Sequence, residues 1–314
     1  MAICSFSGNA DMYGLGIRIG FYLQWFGKIF ATWVARKEVT GMRLSESLFI
    51  AATFLALIIQ TDRDNLRPVE IYIILLLTFG GYLYFVPLYV WRLLIGCDPD
   101  LDPSRHPRVR PGKMFSRLNF LLLCAVCIFQ LWFWIGRVST IGRDGCTEFG
   151  FLFARVRLNQ RGFVVVNVVL YFLLLLCCVG VLGISVGKRW GFLEEKPKGR
   201  IGRVRKTALQ ELQTFMNLTV ASIVVAATEL TIAWNHITDV NEISSAGQTI
   251  PLIIGIGQIV RVLYIMLVTG DDYDDRFSGT NSVDSWPSDF TSEPASVDRL
   301  PPMPPQPPGS PPPA

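Results

Sequence analysis

Seven stretches of this chain are apolar for about 17 to 25 residues, the length an α-helix needs to cross a hydrocarbon layer roughly 30 Å thick. Lipid offers no hydrogen bonds to the backbone, so runs of this kind satisfy their own N–H and C=O groups as helices and then pack as a bundle. They fall at about residues 13–35, 44–61, 69–95, 115–136, 163–187, 211–234 and 247–269, which predicts an all-α membrane protein, a seven-transmembrane-helix bundle. The first run is the least apolar because it carries Arg18, Gln24 and Lys28, although Tyr22, Trp25, Phe26 and Phe30 surround those groups at helical spacing. With 51% hydrophobic and 17% charged residues, the chain falls outside most soluble enzyme classes.

Three regions follow: a short extracytoplasmic arm over 1–12, a transmembrane domain over 13–270, and a cytoplasmic tail over 271–314. The orientation rests on lysine and arginine, which are enriched in cytoplasmic loops. Loops one, three and five carry 15 of these residues, against 7 on the other side, so the C-terminus is expected in the cytoplasm of a plasma-membrane or endomembrane protein. Loop four opposes this with Arg137, Arg143, Arg155, Arg157 and Arg161. The first twelve residues lack the basic start and apolar run of a cleavable signal, so the first helix is expected to serve as the anchor. The sequon Asn217-Leu218-Thr219 falls inside the sixth helix, where no glycan is expected. No internal repeat is visible, so the inverted-repeat pattern of many secondary transporters is missing.

The tail contains eight acidic residues, two arginines and no lysine, which leaves +10 for the rest of a +4 chain. An acidic, serine-rich stretch that ends in a proline run buries too little apolar surface to offset ordering, and disorder is expected. Within it, Arg299-Leu300-Pro301-Pro302-Met303-Pro304-Pro305 fits the Arg-x-x-Pro-x-x-Pro pattern. In a polyproline II helix Pro302 and Pro305 would fill adjacent grooves of an SH3-type partner while Arg299 meets its acidic pocket; a solvated end with no dedicated partner is the competing reading.

Charges inside a bilayer cost several kcal/mol unless they are paired, hydrated or near an interface, so they are the first candidates for function. Arg18 and Glu229 each lie about five residues from the outer ends of their helices, roughly 8 Å deep at 1.5 Å per residue, and are placed to pair. Two roles compete: an outward-facing ligand or proton site, and an ion pair that sets packing. If the two pair, exchanging them is expected to recover part of the stability lost on replacing either. Lys28 and Arg261 lie deeper, with Glu46 the nearest carboxylate by depth, and are expected to snorkel toward phosphates. Asn119, Gln130, Asn167, Gln248 and Gln258 read as interhelical hydrogen-bonding groups. Gly16 with Gly20, and Gly183 with Gly187, carry the four-residue spacing of close helix packing. Pro87 and Pro251 predict kinks.

No catalytic constellation emerges, and an enzyme is not expected. Gly183-Ile184-Ser185-Val186-Gly187 spells a nucleophile elbow but ends an apolar helix, not a strand-to-helix turn. With only His106 and His236, a three-histidine zinc site cannot be built. Neither a cofactor nor a nucleic-acid partner is expected; the lipid bilayer is. Cys4 and Cys146 fall on the non-cytoplasmic, oxidising side and are candidates for a disulfide if their Cα atoms approach within roughly 7 Å. After Cys146 the alternation Phe149, Phe151, Phe153, Arg155, Arg157 suggests an extended or interfacial segment.

The segment Asp11-Met12-Tyr13-Gly14-Leu15-Gly16-Ile17-Arg18, then Tyr22-Leu23-Gln24-Trp25, resembles the start of a group of multi-pass membrane proteins of filamentous ascomycete fungi. Glu229 through Trp234-Asn235-His236-Ile237, then Gly247-Gln248-Thr249-Ile250-Pro251 and Arg261-Val262-Leu263-Tyr264, extend the resemblance across about 11–270. It implies a fungal seven-helix membrane protein and transfers no activity. Arg18, Gln24, Glu229, Asn235, His236, Gln248 and Arg261 lie in the resembling segments and are the candidate buried polar site. A receptor or sensor-like protein is the leading expectation, from the odd helix count, the outward N-terminus and the long tail. A transporter or channel component and a membrane scaffold are the alternatives. An outward pocket would favour a sensor, and a midplane pocket reachable from both sides would favour transport.

Overall fold

The computed structural model describes residues 2–3, 5–96, 101–105, 108–109, 112–138, 146–189, 203–243 and 245–268. The described chain is mostly helical. Short strands β1 (Ala2–Ile3) and β2 (Phe6–Ser7) and the turn α1 (Ala10–Tyr13) lead into α2 (Leu15–Val34), α3 (Val39–Asp62), α4 (Pro68–Gly80), α5 (Phe85–Leu94) and α6 (Lys113–Trp132). Strands β3 (Cys146–Thr147), β4 (Phe149–Phe151) and β5 (Arg155–Arg157) follow. The chain then forms α7 (Arg161–Arg189), α8 (Arg203–Trp234), β6 (Ile237–Thr238) and α9 (Ala246–Val268).

Five helical stretches are long and apolar enough to cross a membrane: Val39–Asp62, Phe115–Arg137, Arg161–Ile184, Val204–Trp234 and Ala246–Val268. A sixth is added if α4 and α5, bent by 59°, count as one broken span. The outward surface of this set is apolar. Along α9 Ile250, Ile253, Val260, Leu263 and Leu267 are exposed at spacings of three, four and seven, and α7 exposes Val165, Val169, Phe172, Leu176 and Val179. A protein in water would hide such stripes; a lipid-facing bundle presents them. The structure is thus that of a helical integral membrane protein.

The remaining long helix, α2, is set apart by what it buries. Arg18 and Gln24 sit among Ile17, Gly20, Phe21 and Trp25 on its inner side, so polar atoms that lower its hydropathy point into the bundle. It packs alongside α9 in the same direction, with Gly16 at Gln248, Gly20 at Pro251 and Gly27 at Ile259. A Cβ added to Gly20 would lie 2.8 Å from the backbone of Pro251, and one on Gly16 would overlap the Gln248 carbonyl oxygen. The four-residue glycine spacing at 16 and 20 therefore lets two backbones meet. The same expectation fails at Gly183, where an added Cβ meets nothing within 4 Å among the described residues, because that stretch of α7 faces outward.

At the centre stands α4, with eleven of its thirteen residues buried, Ile71, Ile73, Ile74 and Leu77 completely. A helix apolar all round is one covered on every side, which accounts for its lack of a polar face. The expected helix over 69–95 is broken at residues 81–84, just before Pro87, where a kink was expected. Pro87 occupies the first turn of α5, and the bond to the Leu83 carbonyl that a continuous helix would need from it falls inside the break. The break follows Gly80-Gly81: a side chain on Gly80 would lie 2.8 Å from Val224 Cγ1 and 2.9 Å from the Trp25 ring. Pro251, expected to kink its helix, lies within an uninterrupted α9.

The ends of the bundle differ. At one, called here the cap end, the N-terminal arm threads between two loops: Ala2 and Ile3 pair in parallel with Cys146 and Thr147, and Phe6 and Ser7 with Ile237 and Thr238. Phe149–Phe151 and Arg155–Arg157 form an antiparallel hairpin, which is the extended segment that the period-two pattern announced. The other, the base end, holds the α2–α3 turn, α5 and the start of α8.

Candidate functional site

The cap end gathers Arg18, Glu229 and Asn235. Arg18 is completely buried; its guanidinium ion-pairs with Glu229 and donates to the Val240 carbonyl at 3.0 Å and to Asn241 Oδ1 at 2.7 Å. The Tyr22 hydroxyl donates to the second Glu229 oxygen at 2.8 Å. Asn235 clamps the hairpin to α8, accepting from Phe149 N–H at 2.8 Å and donating to Phe149 and Thr231 carbonyls at 2.7 Å each. Glu70 fastens the arm: its carboxylate accepts from Asn9 N–H at 3.0 Å, the Tyr13 hydroxyl at 2.9 Å and Arg67 N–H at 2.8 Å. The last of these also caps α4, which begins with Pro68. These bonds tie the arm, the hairpin and α8 together at the cap end, while Arg18 Nε and both amide atoms of the neighbouring Gln248 have no partner among the described residues.

Other candidates stand apart from this cluster. His236 is exposed, adopts a left-handed backbone with φ 48°, and contributes its carbonyl to Ser5 Oγ at 3.3 Å. Arg261, with 69% of its side chain exposed, pairs at the base end with Glu38 at 2.6 Å, not with Glu46. Gln248 and Gln24 are buried with both amide atoms unbonded, so the interhelical bonds expected of Gln248 are not made. Gln248 lies against Gly14, whose added Cβ would meet its Cδ at 2.5 Å. Of the disulfide candidates, Cys4 lies outside the described residues, as do Arg299, Pro302 and Pro305 with the rest of the tail. The β1–β3 pairing does bring the arm's backbone to Cys146.

The bundle opens instead around the helix break. A cavity of about 440 Å³ lies between α2, α3, the 81–84 segment, α5 and α8, within the usual range for small-molecule sites. Lys28 and Glu46 face each other across it at 2.5 and 2.7 Å. Ser47 Oγ and the Tyr82 hydroxyl both donate to Asn119 Oδ1, at 3.1 and 2.7 Å, as an interhelical Asn119 was expected to allow. Gly81 leaves the space: a Cβ there would come within 3.2 Å of Glu46 Oε1 and 3.7 Å of Trp25 Nε1. The buried Trp25 indole N–H has no partner among the described residues, and neither does Asn217 Oδ1 on the opposite wall.

Sequence reasoning named Lys28 and Glu46 as neighbours in depth but assigned the lysine to lipid phosphates. It missed Trp25, Arg43, Tyr82 and Asn217. The available signal was Gly80-Gly81 in mid-run, the one place where an otherwise unbroken apolar helix carries adjacent glycines beside aromatics. No group of three or more metal-binding side chains occurs among the described residues. Comparison with protein families, with curated proteins and with solved structures finds no match.

Proposed function

We propose that the chain is a seven-helix integral membrane protein of the fungal group it resembles, sensor-like in action, that takes a small molecule into the cavity at its helix break. Counting α2 and the broken α4–α5 pair as spans brings the five long apolar helices to seven. By the lysine and arginine distribution, the base end then faces the cytoplasm and the cap end the outside or lumen. The observation that carries the reading is the cavity itself. It is walled by a helix bent by 59°, whose 81–84 segment leaves the α-helical pattern for tight turns such as Leu83 N–H to the Gly80 carbonyl, and irregular backbone in a membrane belongs where protein or a water-filled space surrounds it. The ligand therefore approaches from the base side, and of the two roles weighed for Arg18 and Glu229 the packing ion pair is the one this reading takes.

A carrier is the second reading, favoured by the break itself, since discontinuous helices are where many transporters hold substrate. The tied cap end favours the sensor by opposing passage through the bundle, although the pocket is on the base side and not on the outward side expected of a sensor. A cysteine at Ser47 separates them, treated with a small charged thiosulfonate in sealed cells and in inverted vesicles and scored on the peptide that contains residue 47. Sensor-like, one-sided access gives modification in inverted vesicles alone. Modification from both sides makes the protein a carrier, and modification from neither removes the cavity reading.

A further inference from the structure

Among the described residues, the ionic groups that line the cavity leave one positive side chain outside any ion pair. Lys28 is matched by Glu46, and Arg92 by Asp102 at 2.9 Å with Ser104 Oγ at 2.7 Å. Arg43, also on the wall, donates one N–H to the Val109 carbonyl at 3.0 Å and makes no ion pair among the described residues, since the carboxylate within its electrostatic reach, Glu46, is already bound to Lys28. A smaller adjoining pocket shares Lys28, Arg43 and Asn217 and adds Arg108, again without an acidic side chain in its lining. The buried Trp25 indole N–H on the wall, without a partner among the described residues, likewise seeks an acceptor. Tyr84, Phe85 and Tyr89 supply apolar and aromatic surface beside these groups.

We propose that this cavity binds an amphipathic anion, a carboxylate or phosphate whose head pairs with Arg43 and accepts from Trp25 while its body lies on the aromatic wall. The inference rests on the cavity being a ligand site and adds the ligand's charge. An arginine in a half-buried site of this kind binds an oxyanion through two parallel N–H bonds, which a carbonyl contact alone leaves unfilled. The shared head-group chemistry has two sources, a free organic anion and an anionic lipid.

The test uses the full chain in phosphatidylcholine nanodiscs, with binding read as a shift in thermal unfolding. Probes are 2-naphthoate, phenyl phosphate, the neutral 2-naphthamide and the cationic 2-naphthylmethylamine. Either anion should raise the unfolding temperature at a concentration at least tenfold below that at which the amide or amine acts. Arg43→Gln should remove that preference, and Arg43→Lys should keep part of it. If phosphatidylglycerol nanodiscs alone give the Arg43-dependent shift and abolish the response to naphthoate, the occupant is lipid; if not, it is a free anion. Tighter binding of the amide or amine overturns the anion assignment and leaves the cavity reading standing. A wild-type protein that responds to no probe and no lipid overturns the assignment, and the separate labelling at residue 47 then decides whether the cavity is accessible at all.

Discussion

Glu229→Gln is expected to be among the most damaging single replacements in the protein, lowering stability by about 3 kcal/mol. The value is the lower end of what breaking a buried ion pair costs, because 44% of the Glu229 side chain is exposed while Arg18 is wholly buried. The loss falls on Arg18, which then keeps a charge in the bundle with only a carbonyl and an amide oxygen to meet it. Arg18→Gln strands the more exposed partner and should cost less. The exchange expected from sequence to restore the pair should fail, since a carboxylate at position 18 would face the Val240 carbonyl oxygen. Equilibrium unfolding of the purified single and exchanged variants measures all three. Recovery by the exchange would mean that Val240 and Asn241 do not hold Arg18.

The second large effect is steric. Gly16→Ala should destabilise by about 2 to 3 kcal/mol, the cost of forcing extra volume into a filled contact, because its methyl group overlaps the Gln248 carbonyl and α9 cannot withdraw without losing Gly20 and Gly27 as well. Gly257→Ala and Gly183→Ala, whose added methyls meet open space, should remain within about 0.5 kcal/mol of the parent. The same unfolding measurement compares them. Equal effects at 16 and 183 would show that glycine acts through helix propensity and not through the α2–α9 approach.

These two sites show where sequence reasoning reached and where it stopped. Lipid-crossing helices are legible because a run such as 163–187 has to be apolar whatever it packs against, and matched depth put Arg18 and Glu229 in reach from helix length alone. Direction around the helix axis was not legible. Gly16 and Gly183 carry the same spacing, yet one meets a backbone and the other faces outward, and only the partner helix decides. Loop contacts were equally hidden: the capping of α4 by Glu70 and the clamping of Phe149 by Asn235 join residues tens of positions apart. Pro87 announced a bend in this run, but Pro251 carried the same signal within a helix that stays continuous, so which proline opens a cavity depends on Gly80-Gly81 and the Trp25 packed over them.

All of the functional reading depends on seven crossings with the cap and the cavity at opposite faces. Seven crossings place the two chain ends on opposite sides of the membrane, whereas six, with α2 held inside the bundle without spanning, would place them on the same side. Small epitope tags before Met1 and after Ala314, probed with protease on sealed cells and again after permeabilisation, read this directly. The account predicts that the N-terminal tag is cleaved from outside and the C-terminal tag only after permeabilisation. Both tags cleaved in sealed cells, or both protected there and both cleaved once the plasma membrane alone is permeabilised, would contradict it.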